Sequence, residues 1–193
     1  SSAIQTFNKL IGEYPESSLA RKAGIQLGLI YYNDHQPEKA AEAYKQVISK
    51  YPGSEEAKVA LQDLKSVYID LNDIDAYAAY VNSLGANIHL NINEQDSLTY
   101  IAAEKLFMRG DNEGARRSMQ NYLQNYPNGA FSTNANFYLA SIAFNLKEYN
   151  EALPMFEQVI ASGDRKFLEE STARKAEIEY LTENFKAALE TFK

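Results

Sequence analysis

The dipeptide Tyr-Pro occurs three times in this chain of 193 residues, as Tyr14-Pro15, Tyr51-Pro52 and Tyr126-Pro127. The first interval is 37 residues and the second is 75, close to twice as long. Each pair follows an apolar run at helical spacing: Phe7, Leu10 and Ile11, then Tyr44, Val47 and Ile48, then Met119, Tyr122 and Leu123. Proline cannot continue a helix and drives the residue before it out of the α region, so each pair marks a helix end. A period near 37 residues is the size of one helix–turn–helix unit in an α-solenoid. Solenoids expose extended binding surfaces, which turns attention from catalysis to partners.

The register extends beyond the Tyr-Pro marks. The clearest unit runs from Arg21 to Ser54 and contains Leu27-Gly28, Tyr31, Ala40, Tyr44, Val47 and Pro52. Stepping Ala40 through the chain gives Ala3, Ala40, Tyr77, Ala115, Ala152 and Ala188, and the position four later gives Phe7, Tyr44, Val81, Met119, Phe156 and Phe192. Small residues are needed where two helices cross closely, and large ones fill the space around the crossing. Only Tyr77 breaks the small series, and the flanking Ala76, Ala78 and Ala79 leave room for adjustment.

These intervals resemble the tetratricopeptide repeat, with its Leu-Gly pair, following Tyr, small Ala, aromatic and closing Pro. The resemblance implies an all-α, right-handed α-solenoid covering residues 1–193, with about five full or partial repeats and half-repeats at both ends. The stretches Pro15-Glu16-Ser17-Ser18-Leu19-Ala20 and Pro52-Gly53-Ser54-Glu55-Glu56-Ala57 lengthen the unit, with Ser17 and Ser54 as expected N-caps. This longer form is similar to a subtype found in Gram-negative envelope proteins, such as Tol-Pal-associated periplasmic proteins and outer-membrane assembly lipoproteins. The third Tyr-Pro departs from it, with Gly129 in place of Ser.

Helix A segments are expected near 18–33, 55–71, 95–109, 132–146 and 168–182. Helix B segments are expected near 2–13, 37–50, 74–84, 112–125, 149–161 and 185–193. Pro37 suits a first helical position, and Pro154 falls early enough in its helix to be tolerated. Between them, 85–95 stands out as an irregular loop or hinge. Its Ile88, Leu90 and Ile92 alternate with polar residues as in a strand, yet a lone strand has no partner, so an extended loop packed by these residues is expected. Gly85 is placed as the helix C-cap before it.

Chemistry is hard to find. The chain has no cysteine, which removes thiolate nucleophiles, disulfides and cysteine metal sites. His35 and His89 are read as exposed loop residues, too far apart for a metal pair on one helix. No nucleophile elbow or phosphate loop occurs, and the sequence assigns no catalytic residue, metal or cofactor. Glu55-Glu56 and Glu169-Glu170 read as the negative first turn of an A helix, and Arg116-Arg117 as a solvated face beside Glu113. A net charge of −7 argues against binding nucleic acid. No apolar stretch reaches the roughly 20 residues of a membrane span.

The remaining candidate is a groove. The resemblance implies that A helices line the concave surface, with one row of Tyr32, Ile69, Phe107, Phe144 and Tyr180 and another of Ile25, Gln62, Tyr100, Phe137 and Ala173. Lys22, Asp63, Asp70, Glu104, Asn134, Asn145 and Glu177 lie close by. These aromatics either anchor a peptide or pack each A helix on its neighbours. A clamp for a C-terminal carboxylate needs Lys and Asn where this chain has Ile25 and Leu29. The expected function is a protein-interaction scaffold taking a protein or peptide partner on Tyr32, Ile69, Tyr100, Phe107, Phe137, Phe144 and Tyr180. The alternative is a structural spacer that self-associates through the solenoid ends. Neither end carries a polar capping repeat, so the sequence reads as a fragment of a longer protein. Its expected home is periplasmic or outer-membrane-associated, with the cytoplasm left open.

Overall fold

The structure, a computed structural model, describes residues 2–85, 88–182 and 184–191, without the side chains of 185 and 186. Among these residues all regular structure is helical. The chain divides into two compact units, Ser1–Ile88 and His89–Lys193.

The first unit holds α1 (Ser2–Glu13), α2 (Ser18–Asn33), α3 (Pro37–Lys50), α4 (Glu55–Leu71) and α5 (Ile74–Ser83). Successive helices pack on one another, and α2 also touches α4. The expected caps are present: Ser17 accepts from the Ala20 amide at 3.0 Å and Ser54 from the Ala57 amide at 3.1 Å. Pro37 opens α3, where no amide is needed. Tyr51 ends α3 at φ −126° and ψ 54°, outside the helical region, as a residue before proline must be. Its hydroxyl reaches back to the carbonyl of Pro15 at 2.5 Å, so one Tyr-Pro corner is tied to the previous one.

At the heart of this unit Gly28 faces Tyr44. A Cβ on Gly28 would stand 2.6 Å from Cζ of Tyr44, so the two helices meet at a separation only glycine allows. Ala40 and Tyr44 are both buried. Tyr77, the exception in the small series, is buried too, with its ring 5.9 Å from that of Tyr68. By contrast α1 buries no residue completely: Phe7 is half-buried and Ala3 exposed.

The second unit holds α6 (Ile92–Met108), α7 (Asn112–Asn125), α8 (Ser132–Asn145), α9 (Tyr149–Ser162), α10 (Arg165–Leu181) and α11 (Phe185–Thr191). Successive helices again pack together, and α8 touches both α6 and α10. Ala115, Ala152, Met119 and Phe156 are fully buried, and Ala188 is buried. Phe192 lies outside the described residues. Pro154 sits inside α9 without ending it.

Several expectations need correction. The segment 85–95 is shorter than expected, because α6 starts at Ile92 under a capping box in which Asn91 and Glu94 exchange hydrogen bonds. Two of its three alternating apolar residues do not pack it, Ile88 and Ile92 being 43% and 65% exposed, while Leu90 is half-buried. No strand forms at 88–91, since alternation without a pairing edge has nothing to bond, and 86–87 lie outside the described residues. The C-cap of α5 is Leu84, with Gly85 following it at φ +131°. Helix α10 starts at Arg165, earlier than 168, because Asp164 caps it through the Lys166 amide at 2.9 Å. Glu169 and Glu170 therefore sit beyond its first turn, whereas Glu55 and Glu56 do occupy the first turn of α4. Finally, Arg116 is no solvated charge. It pairs with Glu148 across α7 and the start of α9, half-buried, while Arg117 and Glu113 remain exposed.

Candidate functional site

The A helices are α2 and α4 in the first unit and α6, α8 and α10 in the second. In the first unit Tyr32 and Ile69 are half-buried. The Tyr32 hydroxyl donates to Asp70 of the next A helix. Asp63 accepts from Tyr44. Burial raises the Tyr44 hydroxyl far above its usual range, and the Asp63 charge raises it further. Burial also lifts the Asp63 carboxyl, against the pull of the Tyr44 hydrogen bond.

In the second unit the row residues separate by burial. Tyr100 and Phe137 are core: 2% and 6% exposed. Tyr100 stacks on Phe131 with centroids 4.5 Å apart, and Phe137 stacks on Phe167 at 4.5 Å. Phe107 and Phe144 are half-buried, and Tyr180 is 62% exposed. Of the second row, Ile25 is half-buried and Gln62 and Ala173 are exposed. Surface on the A helices is thus offered by Tyr32, Ile69, Phe107, Phe144 and Tyr180, while Tyr100 and Phe137 hold the helices beneath.

The two half-buried rings of the row in the second unit, Phe107 and Phe144, are each partnered from the following A helix. The Tyr138 ring lies 4.8 Å from Phe107, and the Arg174 guanidinium lies 4.7 Å above Phe144. Arg174 also pairs with Glu177 at 3.0 Å. Glu104 gathers two hydroxyls on Oε1, from Tyr100 at 2.6 Å and Tyr138 at 3.0 Å. Asn134 donates to Tyr100 at 3.3 Å. Burial first, and then the Glu104 bond, keeps both tyrosines protonated well above their ordinary range. Tyr138 and Arg174 escaped the sequence reading, although a signal existed. Each stands six residues before a row residue, as Asp63 stands six before Ile69.

These groups hydrogen-bond and stack; none is arranged for nucleophilic attack. His35 sits in the turn after α2 with φ 56°, and His89 is exposed. Among the described residues no three metal-ligating side chains converge, and no helix is long and apolar enough to cross a membrane. A small cleft bounded by Ile11, Leu27, Val47 and Tyr51 in the first unit shares no residue with the row.

The family model of the tetratricopeptide repeat matches residues 23–54, 97–129 and 134–162. Curated protein sequences provide no match. Among solved structures, MamA is similar at 15% identity, covering 86% of this chain and 90% of that one, with a TM-score of 0.47. YrrB, described as a tetratricopeptide repeat protein with an unusual peptide-binding site, is similar at 18% identity over 97% of this chain and 89% of that one, TM-score 0.45. A tetratricopeptide repeat protein from Parabacteroides merdae is similar at 15% identity over 98% and 70%, TM-score 0.39.

Proposed function

We propose that this chain, built of tetratricopeptide repeats, is a protein-interaction scaffold that holds a partner polypeptide on the exposed parts of its A helices. The observation that carries the reading is the row itself. Phe107, Phe144 and Tyr180 recur once per repeat on α6, α8 and α10, and each keeps part of its ring in solvent above a packed core. Large, rigid rings with surface left to bury are what binding hot spots use, because they gain contact area at little cost in side-chain entropy. The polar groups around them are fixed by hydrogen bonds, so little ordering remains when a partner docks.

The longer repeat with its Ser N-caps supports a finer reading, in which the scaffold works in a bacterial envelope, periplasmic or outer-membrane-associated. Localising the tagged full-length gene product by cell fractionation tests that part; recovery in the cytosol alone contradicts it.

A second reading is favoured by α1, whose apolar residues are at most half-buried. Such a face suits stacking on a further repeat or another copy, making the array a spacer or self-association module. Light scattering with increasing protein concentration separates the two. A concentration-independent monomer that still captures peptide supports the scaffold, and a growing mass abolished by Phe7→Ser supports self-association.

A further inference from the structure

The contact between α8 and α10 already shows what this surface can hold. There Arg174 lays a guanidinium on the Phe144 ring and pairs it with a carboxylate, that of Glu177. One repeat earlier the same register carries Tyr138 in place of Arg174 and Phe107 in place of Phe144. The rings are there, 4.8 Å apart and half-buried, and Tyr138 stands at the position that Arg174 holds one repeat later. Glu104 spends only Oε1 on hydrogen bonds from Tyr100 and Tyr138. Glu170, an exposed residue of α10, adds its negative charge to the surroundings of the Tyr138 hydroxyl. Neither Glu104 nor Glu170 has an ion-pair partner among the described residues. On α10, Arg174 is paired with Glu177, Lys175 with Glu157 and Glu179, and Lys166 lies over the ring of Phe167.

We propose that this face of the second unit takes an arginine side chain of an extended partner segment, stacked on Tyr138 and Phe107 and paired with Glu104 and Glu170. A guanidinium is the cation that fits, because it is planar, stacks on aromatic faces and offers several donors to carboxylates. Pairing on the protein's own surface shows that the geometry is attainable, and the two uncompensated carboxylates supply the complementary charge. The proposal rests on the scaffold reading and gives its partner a chemistry.

The test uses three short fluorescein-labelled peptides that share the same leucine and phenylalanine residues and carry arginine, glutamine or glutamate between them. Anisotropy titrations against the intact chain should rank arginine first, with tighter binding at low salt. Converting two charge-assisted contacts to neutral ones in a Glu104→Gln/Glu170→Gln variant should weaken the arginine peptide by about tenfold or more. It should leave the glutamine peptide within about twofold. Unchanged circular dichroism melting of that variant, and unchanged binding in Glu55→Gln, serve as controls. Equal binding of all three peptides, with loss in Phe107→Leu, would overturn the arginine assignment and leave the scaffold reading standing. No binding of any peptide counts against both.

Discussion

Asp96 accepts the hydroxyl of Tyr122 at 2.5 Å, and both side chains are buried. The other Asp96 oxygen accepts the Ala130 amide at 2.9 Å, and the Tyr122 hydroxyl in turn accepts the Phe131 amide at 3.1 Å. This small network sits where the third Tyr-Pro corner has Gly129 and not the serine that caps α2 and α4. The amides of Ala130 and Phe131, in the turn before α8, are met from α6 and α7 instead. Asp96→Ala strands a buried hydroxyl and an amide, and should destabilise the fold by about 2–4 kcal/mol. Ser54→Ala, which removes an ordinary cap, should cost only about 1 kcal/mol. Urea denaturation of both variants measures the contrast; equal losses would show that the network is no more than a cap.

Gly28 and Gly12 both lie inside helices yet should respond oppositely to alanine. At Gly28 the new methyl meets the Tyr44 ring at less than contact distance, so overpacking of about 1–3 kcal/mol outweighs the helix-propensity gain. At Gly12 nothing lies within 4 Å, and alanine should stabilise by up to about 1 kcal/mol. Thermal melting of the two variants gives the signs directly.

The turn between helices A and B places one residue in the left-handed region in each of four repeats: His35 at φ 56°, Asn72 at 54°, Gly110 at 81° and Lys147 at 63°. Lysine has neither glycine's freedom nor asparagine's local hydrogen bonding there. Lys147→Gly should therefore stabilise by about 0.5–1 kcal/mol, and Gly110→Ala should destabilise by about 1 kcal/mol. Chemical denaturation decides whether the repeated turn is strained by its residue.

Alkali should loosen the protein through its buried tyrosines. Tyr44, Tyr100 and Tyr122 have hydroxyls raised above the ordinary value of 10.0, first by burial and then, for all three, by the carboxylate that accepts their proton. The unfolded chain releases these protons near pH 10 and the folded chain does not. Stability is therefore complete below about pH 10 and falls as pH rises beyond it. Urea midpoints between pH 8 and pH 11 should drop on the alkaline side, and Tyr122→Phe should flatten the drop. A midpoint independent of pH over that range would contradict the burial assigned to these hydroxyls.

Much of this architecture was legible in the residues because periodicity and stop signals are local. Tyr-Pro corners, Ser17 and Ser54 placed α1 to α4 to the residue, and the Ala40 series located the helix crossings. The places that resisted are those decided by contacts distant in sequence. Asp96 gave no hint that it would hold the turn before α8, since its partners lie 26 and 34 residues away. The start of α10 was missed because no Tyr-Pro corner precedes that helix and its cap is Asp164. The row of groove residues followed from the resemblance to the repeat family, but a position in the repeat could not tell Tyr100 and Phe137, which are core, from Phe107 and Phe144, which keep surface. That distinction depends on Phe131 and Phe167, which cover the first pair from other segments.

The central claim is that the half-buried aromatics of the A helices bind polypeptide. Its most direct test is selection of a phage-displayed random peptide library on the intact chain, followed by titration of the enriched peptides against a Phe107→Ala/Phe144→Ala variant whose helicity is unchanged by circular dichroism. The account predicts enrichment, and a loss of affinity of about tenfold or more in the variant, as expected for two hot-spot side chains. Enriched peptides that bind the variant as tightly as the parent, or a library that yields no binder, would contradict it.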